Sequence, residues 1–214
     1  MRSGVEFDVC IISFSDLRSD ARTLNVINTC TEMGLKVAAI SLNKIDDISS
    51  AIGGASYFPV TPGVFPDSKR YWRYFHKTAI QIAGKVKARK WWAADLYSLS
   101  VAAALKKKFG GELIYDSREI YSALGPLAAN PYKQRVITWI EKYLVRKVTA
   151  YVVSGEADAK YLKTHFHTDK PFHLVMNLPT YSERIESNLL KETFPELENK
   201  IICVYQGAVL KGRG

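Results

Sequence analysis

Two hydrophobic patterns alternate along the chain. The first is a set of short, nearly continuous apolar runs: Phe7–Phe14, Leu35–Leu42, Ala55–Val60, Ala94–Leu99, Glu112–Asp116, Thr149–Ser154 and Phe172–Asn177. Apolar throughout rather than at every second position, they predict strands buried on both faces of a parallel sheet. The second pattern is helical. Leu24, Ile27, Cys30 and Gly34 share one face and end at a glycine. Trp72, Phe75, Ala79, Ile82 and Val86 step by 3, 4, 3 and 4, and Ile137, Ile140, Leu144 and Val148 repeat the pattern. Strands alternating with helices predict βαβ units and an α/β fold: a doubly wound, mostly parallel, Rossmann-like sheet.

The pattern changes near residue 180. Residues 1–180 are expected to form one domain. The polar stretch 181–199 reads as a linker helix stopped by Pro195. Ile201–Tyr205 reads as a strand followed by a Gly-rich turn, so residues 200–214 are expected to open a second domain that is cut off. Such an unpaired apolar strand either packs on the first domain or pairs with another copy.

Length and composition narrow the class. The 214 residues suit one to two domains, and 47% hydrophobic with 24% charged residues excludes disorder, a fibrous repeat and a coiled coil. The net charge of +9 favours anionic partners. Three widely spaced cysteines (Cys10, Cys30, Cys203) make no disulfide framework or CxxC site. The longest charge-free stretch, Ile48–Pro66, is broken by prolines and glycines and cannot span a membrane. A cytoplasmic protein is expected.

In an open α/β sheet, ligands bind beyond the carboxyl ends of the strands. After the first strand come Ser15, Asp16, Arg18, Asp20 and Arg22, without a GxGxxG. Asp20 reads as a helix N-cap; the loop is either a solvated cap or a rim that faces a phosphate or sugar. Asp116, Arg118 and Glu119 follow the fifth strand. Arg118 either pairs locally with Asp116 or Glu119 or lines a cleft with them; Asp116 or Glu119 is then the titrating group, since an arginine cannot act as a base. Ser154 reads as a helix cap after the sixth strand, and Asn177 follows the seventh. The residues Lys69–Lys90 read as a helix with eight basic and no acidic residues. Its outer face, with Arg70, Arg73, Lys77 and Lys85, is either a solvated face or a docking surface for anionic lipid. The four histidines do not form a ligand set, and neither DxD nor HExxH occurs, so no metal is assigned.

These landmarks, in this order, resemble the N-terminal half of a GT-B glycosyltransferase of the retaining family 4 (group 1). They are Asp20-Ala21-Arg22, Glu32–Val37, Ala94–Tyr97, Tyr115–Tyr121, Val152–Gly155, Met176–Pro179 and Val204–Gly214. The resemblance implies sugar transfer from a nucleotide-diphosphate-sugar co-substrate to a glycan or lipid-linked saccharide, without metal or other cofactor. It places the acceptor on this domain, with Asp116, Arg118 and Glu119 as catalytic candidates. Ser15, Asp16, Arg18, Asp20, Arg22, Ser154 and Asn177 line the acceptor cleft, and Gly207, Arg213 and Gly214 begin a donor-phosphate loop. It also implies that 214 residues alone are inactive. Arg118 stands where the family often has a histidine near the transferred sugar, and Ala208 replaces the first basic residue of the donor loop. Further expectations are peripheral attachment at the inner face of a membrane, a strand-mediated dimer and no nucleic acid. Two other readings stay open: a non-transferase GT-B relative such as a nucleotide-sugar epimerase, and a basic lipid- or nucleic-acid-binding module.

Overall fold

A computed structural model describes residues 7–42, 52–124, 127, 130–178, 181, 183, 188–197 and 199–204. The chain divides into two compact units, Met1–Asn177 and Leu178–Gly214.

The first unit runs β1 (Phe7–Asp16), α1 (Ala21–Glu32), β2 (Val37–Leu42), β3 (Ser56–Val60), α2 (Ser68–Val86), β4 (Ala88–Ala93), α3 (Leu96–Phe109), β5 (Glu112–Asp116), α4 (Pro131–Val145), β6 (Ala150–Val153), α5 (Glu156–Phe166) and β7 (Phe172–Leu174). The strands form one sheet in the order β3-β2-β1-β4-β5-β6-β7, and every neighbouring pair is parallel. The α/β, Rossmann-like architecture is therefore as the periodicity predicts. The order reverses between β1 and β4, which opens a crevice beyond the carboxyl ends of β1, β4 and β5.

Alternate residues of the central strands feed two cores. Cys10, Ile12, Ala38 and Ile40 pack with Phe75 and Ala79 of α2, Leu99 and Ala102 of α3, and Leu144 and Val145 of α4. Val9, Ile11, Val37 and Ala39 pack with Ile27 of α1 and with Leu17. Trp91, Tyr115 and Tyr151 are fully buried in the larger core. Each such side chain contributes roughly 1.5–3 kcal/mol or more by leaving water.

One region departs from the sequence reading. Ala94–Leu99 is not a strand, and the helix expected over 69–90 ends at Val86. The fourth strand is Ala88–Ala93, between β1 and β5. Lys87 takes a left-handed φ of 45° and turns the chain out of α2. The charges that make this segment look helical are neutralised across the sheet: Arg89 lies 3.7 Å from Asp8, and Lys90 pairs with Glu112. Asp95 then starts α3 with a reciprocal capping box, accepting from the Ser98 backbone at 2.6 Å while Ser98 Oγ accepts from the Asp95 N–H at 3.1 Å. Gly111 (φ +89°) is needed where the chain enters β5, because a Cβ there would sit 2.5 Å from the Arg89 carbonyl.

In the second unit, α6 (Leu189–Thr193) and a 3-10 turn (Pro195–Leu197) are short. The strand expected at Ile201–Tyr205 is not formed over Ile201–Val204, and Ile201 and Val204 are exposed. A strand needs a hydrogen-bonded neighbour, and among the described residues none flanks this run. Gly207, Arg213 and Gly214 lie outside the described residues.

Candidate functional site

The carboxyl ends of β1 and β5 bring together residues far apart in sequence. Asp20 caps α1, accepting from the Thr23 backbone N–H at 3.0 Å. The same carboxylate accepts from Ser13 Oγ (3.0 Å), Ser15 Oγ (2.6 Å) and Thr23 Oγ1 (2.6 Å). Arg118 reaches across from β5, donating Nη1 to Asp20 Oδ1 at 2.7 Å and Nη2 to Thr23 Oγ1 at 2.5 Å. Its Nε points at Asp116 Oδ2, 3.4 Å away. Asp116 is fully buried and receives a two-pronged fork from Arg22, Nε at 3.0 Å and Nη2 at 2.7 Å. Arg22 Nη1 also donates to the Val175 carbonyl at 3.2 Å, tying α1 to the chain after β7.

The electrostatics follow from burial and pairing. Burial opposes ionisation of Asp20, but the charge of Arg118 and the bonds from Ser15 and Thr23 outweigh it, and its carboxyl is pushed down to about 2. Burial also lowers the Arg118 guanidinium, yet Asp20, Asp116 and Asp95 together raise it above its ordinary value. Asp95, at the end of β4, is raised by desolvation. Two guanidinium groups thus face three carboxyl groups, so the cluster carries no excess positive charge. A guanidinium has five N–H donors. Three of Arg118 and three of Arg22 are engaged, which leaves two on each for a ligand. The Arg118 and Arg22 side chains are 20% and 11% exposed, so both remain partly open to solvent while held by these bonds.

Asp20, Arg22, Asp116, Arg118 and Ser15 therefore converge. Arg118 reads from sequence either as a local partner of Asp116 or Glu119 or as a cleft residue; it does pair with Asp116, at 3.4 Å, while its shortest contacts are to Asp20 and Thr23. Thr23 and Ser13 were not singled out from sequence. Ser13 ends a strand pattern and Thr23 sits at the third position of a capped helix, so the cap itself was the available signal. Arg18 turns back on Asp16 (Nε to Oδ1, 3.0 Å) outside the cluster. Glu119 is exposed, and Ser117 Oγ donates to its backbone carbonyl at 3.3 Å. Ser154 does not cap α5: the N-cap is Gly155, and the turn has no side-chain cap bond. Asn177 is exposed at the end of the first unit. Arg70 pairs with Asp67 (3.5 Å) at the start of α2. The aromatic residues nearby pack inward, with Tyr71 and Phe75 against Phe14 at 5.4 and 5.0 Å. Among the described residues no three His, Cys, Asp or Glu side chains converge as metal ligands, and no helix is long and apolar enough to cross a membrane.

No family model and no curated protein matches this chain. Solved structures do. Sucrose-phosphate synthase from Thermosynechococcus elongatus superposes with a TM-score of 0.60 at 11% identity, over 79% of this chain and 48% of that one. Glycyrrhiza uralensis UGT73P12, complexed with glycyrrhetinic acid 3-O-monoglucuronide, gives a TM-score of 0.57 at 12% identity, over 78% and 48%. HepE of Anabaena, in complex with UDP and glucose, gives 0.56 at 11% identity, over 80% and 44%. The chain spans about half the length of these structures. At such identities the likeness is one of fold: this chain has the fold of a GT-B glycosyltransferase domain.

Proposed function

We propose that the chain is the N-terminal, acceptor-side domain of a GT-B glycosyltransferase of the family 4 type. The whole enzyme moves a hexose from a UDP-sugar to a hydroxyl of a glycan or lipid-linked saccharide, with retention and without a metal. UDP and glucose in the HepE structure support the donor class. Retention, metal independence and the family rest on the resemblance of the motifs.

The acceptor assignment rests on one observation: the guanidinium groups of Arg22 and Arg118 are charge-balanced yet keep free N–H donors. An uncompensated cationic pocket selects phosphate; a balanced, rigid set of donors selects hydroxyl-rich, neutral ligands. The ion pairs fix those donors before the ligand arrives, so little reorganisation is required on binding. Asp116 is saturated by two arginines and serves as their anchor. We assign to Glu119, an exposed residue next to Arg118 in the chain, the role of taking a proton from an acceptor hydroxyl, a reading that the resemblance of the motif supports.

In the full enzyme, Arg118→Ala is expected to lower kcat/KM for the acceptor by about tenfold or more, since a site built to bond a hydroxyl loses that discrimination when its donor is removed. The donor dissociation constant should not change. A weakened donor with an unchanged acceptor KM would overturn the assignment. The 214-residue chain on its own is expected to release no UDP from UDP-glucose in the presence of acceptor.

A further inference from the structure

A second constellation lies at the opposite, amino-terminal edge of the sheet. An open cavity of about 610 Å³ is lined by Lys106, Lys107, Arg146, Lys147 and Lys170, with Thr149, and by no carboxylate among the described residues. Lys106 Nζ donates to the Lys147 carbonyl (2.8 Å) and to Thr149 Oγ1 (3.0 Å). Lys170 Nζ donates to the Arg146 carbonyl at 2.8 Å. Both ammonium groups thus bond to neutral oxygens in the segment that follows α4, and among the described residues no carboxylate pairs with either. Burial and the charge of Lys106 lower the Lys170 ammonium below its ordinary value.

The cavity continues into an exposed apolar stripe on α4. Tyr132, Val136, Trp139 and Tyr143 recur at steps of 4, 3 and 4. Trp139 is 69% exposed and Tyr132 79%. Trp139 stacks on Tyr143 at 6.1 Å, and Lys147 of the cavity lies 5.2 Å from the Tyr143 ring centre. The helix carries Lys133, Arg135 and Lys142; its one acid, Glu141, is buried on the inner face. Large exposed aromatics whose own helix presents only cations beside them are unusual on a surface that meets water alone.

We infer that the outer face of α4 and the adjoining Lys106/Lys107/Arg146/Lys147/Lys170 cavity form a docking surface for an anionic phospholipid bilayer. Trp139, Tyr132 and Tyr143 settle at the headgroup level, where amphipathic rings are favoured, and the cavity receives a lipid phosphate. Charge complementarity selects this occupant: an apolar protein surface would cover the aromatics but leave the cations bare, and soluble phosphate would do the reverse. The inference does not depend on the transferase reading. It also moves the membrane-facing surface away from α2, whose aromatics are spent on internal packing.

Vesicle co-sedimentation of the whole chain tests it. Vesicles of phosphatidylcholine with about 30 mol% phosphatidylglycerol should retain the protein at least about tenfold better than phosphatidylcholine alone, with release in about 500 mM salt. Trp139→Ala with Tyr143→Ala, and separately Lys107→Glu with Lys147→Glu, should each reduce retention about tenfold or more. Arg73→Glu with Lys77→Glu on α2 should leave it within about twofold, its charges lying outside the surface. All substituted side chains are at least partly exposed, and circular dichroism and the melting temperature serve to check folding. Equal retention on neutral vesicles overturns the inference, as does full retention by the α4 variants or loss with the α2 pair. Displacement by millimolar inorganic phosphate but not by sodium chloride of equal ionic strength, with the aromatic variant unaffected, would assign the cavity to a soluble phosphate. A sedimenting dimer that Trp139→Ala converts to monomer, without vesicle binding, would assign the stripe to a second copy.

Discussion

The two ends of the sheet use cations in opposite ways. At the carboxyl end, Arg22 and Arg118 are held by Asp20 and Asp116 through bonds of 2.7 to 3.4 Å, with Asp95 close enough to raise Arg118 further. At the amino end, Lys106 and Lys170 are held by backbone carbonyls and a threonine hydroxyl. A carboxylate partner cancels charge and fixes geometry; a carbonyl partner fixes geometry and leaves the charge. In the proposed acceptor site the first arrangement is a near-neutral wall for hydroxyl groups, and in the inferred membrane-docking surface the second is a positively charged pocket for a lipid phosphate.

The sharpest way to break the contrast is to remove the buried anchor. Asp116→Ala strands two partly buried guanidinium groups without their shared carboxylate. Breaking a buried pair this way costs about 3–5 kcal/mol. For a unit of this size that corresponds to a drop in melting temperature of roughly 10 °C. Scanning calorimetry checks it, and an unchanged melting point would mean that water readily replaces Asp116.

Glu141 supplies the complementary case, a buried carboxylate with no cationic partner among the described residues. It is 1% exposed on the inner face of α4 and accepts from Tyr115 Oη at 2.8 Å. Tyr121 and Tyr151 also feel its charge. Burial pushes its carboxyl up to about 7, against the bond from Tyr115, which favours the ionised form. Because the folded value lies above the unfolded value of 4.5, the stabilisation is complete below that pH and is lost as pH rises through about 7. The loss is on the order of 3 kcal/mol. Glu141→Gln should flatten the dependence of melting temperature on pH between 5 and 8 and make the protein more stable at the alkaline end.

Why some of this was legible in the sequence and some was not has a physical explanation. The strands Phe7–Asp16, Val37–Leu42 and Glu112–Asp116 are apolar because both of their faces are buried, and a local window sees that. Ala88–Ala93 is equally central, yet its Arg89 and Lys90 are compensated by Asp8 and Glu112 on other strands, and no local window contains those partners. The site shows the same division. Asp20, Arg22, Asp116 and Arg118 could each be named from their positions after strand ends. The pairing could not, since Arg22 and Asp116 are 94 residues apart. On α4 the repeat from Ile137 to Val148 pointed to a single apolar face. The helix has two: Leu144 and Val145 face the core, whereas Ile140 belongs with Trp139 and Tyr143 to the exposed one.

Arg118→Lys is a gentler perturbation of the carboxyl end. A lysine keeps the charge but cannot hold Asp20, Thr23 and Asp116 with one planar fork. A cost of about 1–2 kcal/mol is expected from the lost charge-assisted bonds. The acid limb carries a second signature. The folded carboxyl of Asp20 lies below its unfolded value of 3.8, so its stabilisation is present above that pH and is lost as pH falls through about 2. Weakening the Arg118 contact lifts the folded value of Asp20 toward 3.8, so the variant starts less stable at neutral pH and loses less on acidification. An acid titration followed by circular dichroism separates this from a general loss of packing.

The smallest expected effect lies at the amino end, and its sign is the informative part. Lys107→Gln removes one of five clustered like charges from a surface cavity without removing a bond assigned to that side chain. Relief of repulsion between exposed charges amounts to a few tenths of a kcal/mol. The variant should therefore be as stable as the wild type or slightly more so at low salt, and the difference should vanish once the Debye length falls to about 3 Å near 1 M salt. At the carboxyl end, by contrast, removing either arginine destabilises at every ionic strength, because the partner left behind is a buried carboxylate. Should Lys107→Gln destabilise at low salt, then a carboxylate compensates the cavity after all, and the distinction between the two edges fails together with the phosphate selectivity built on it.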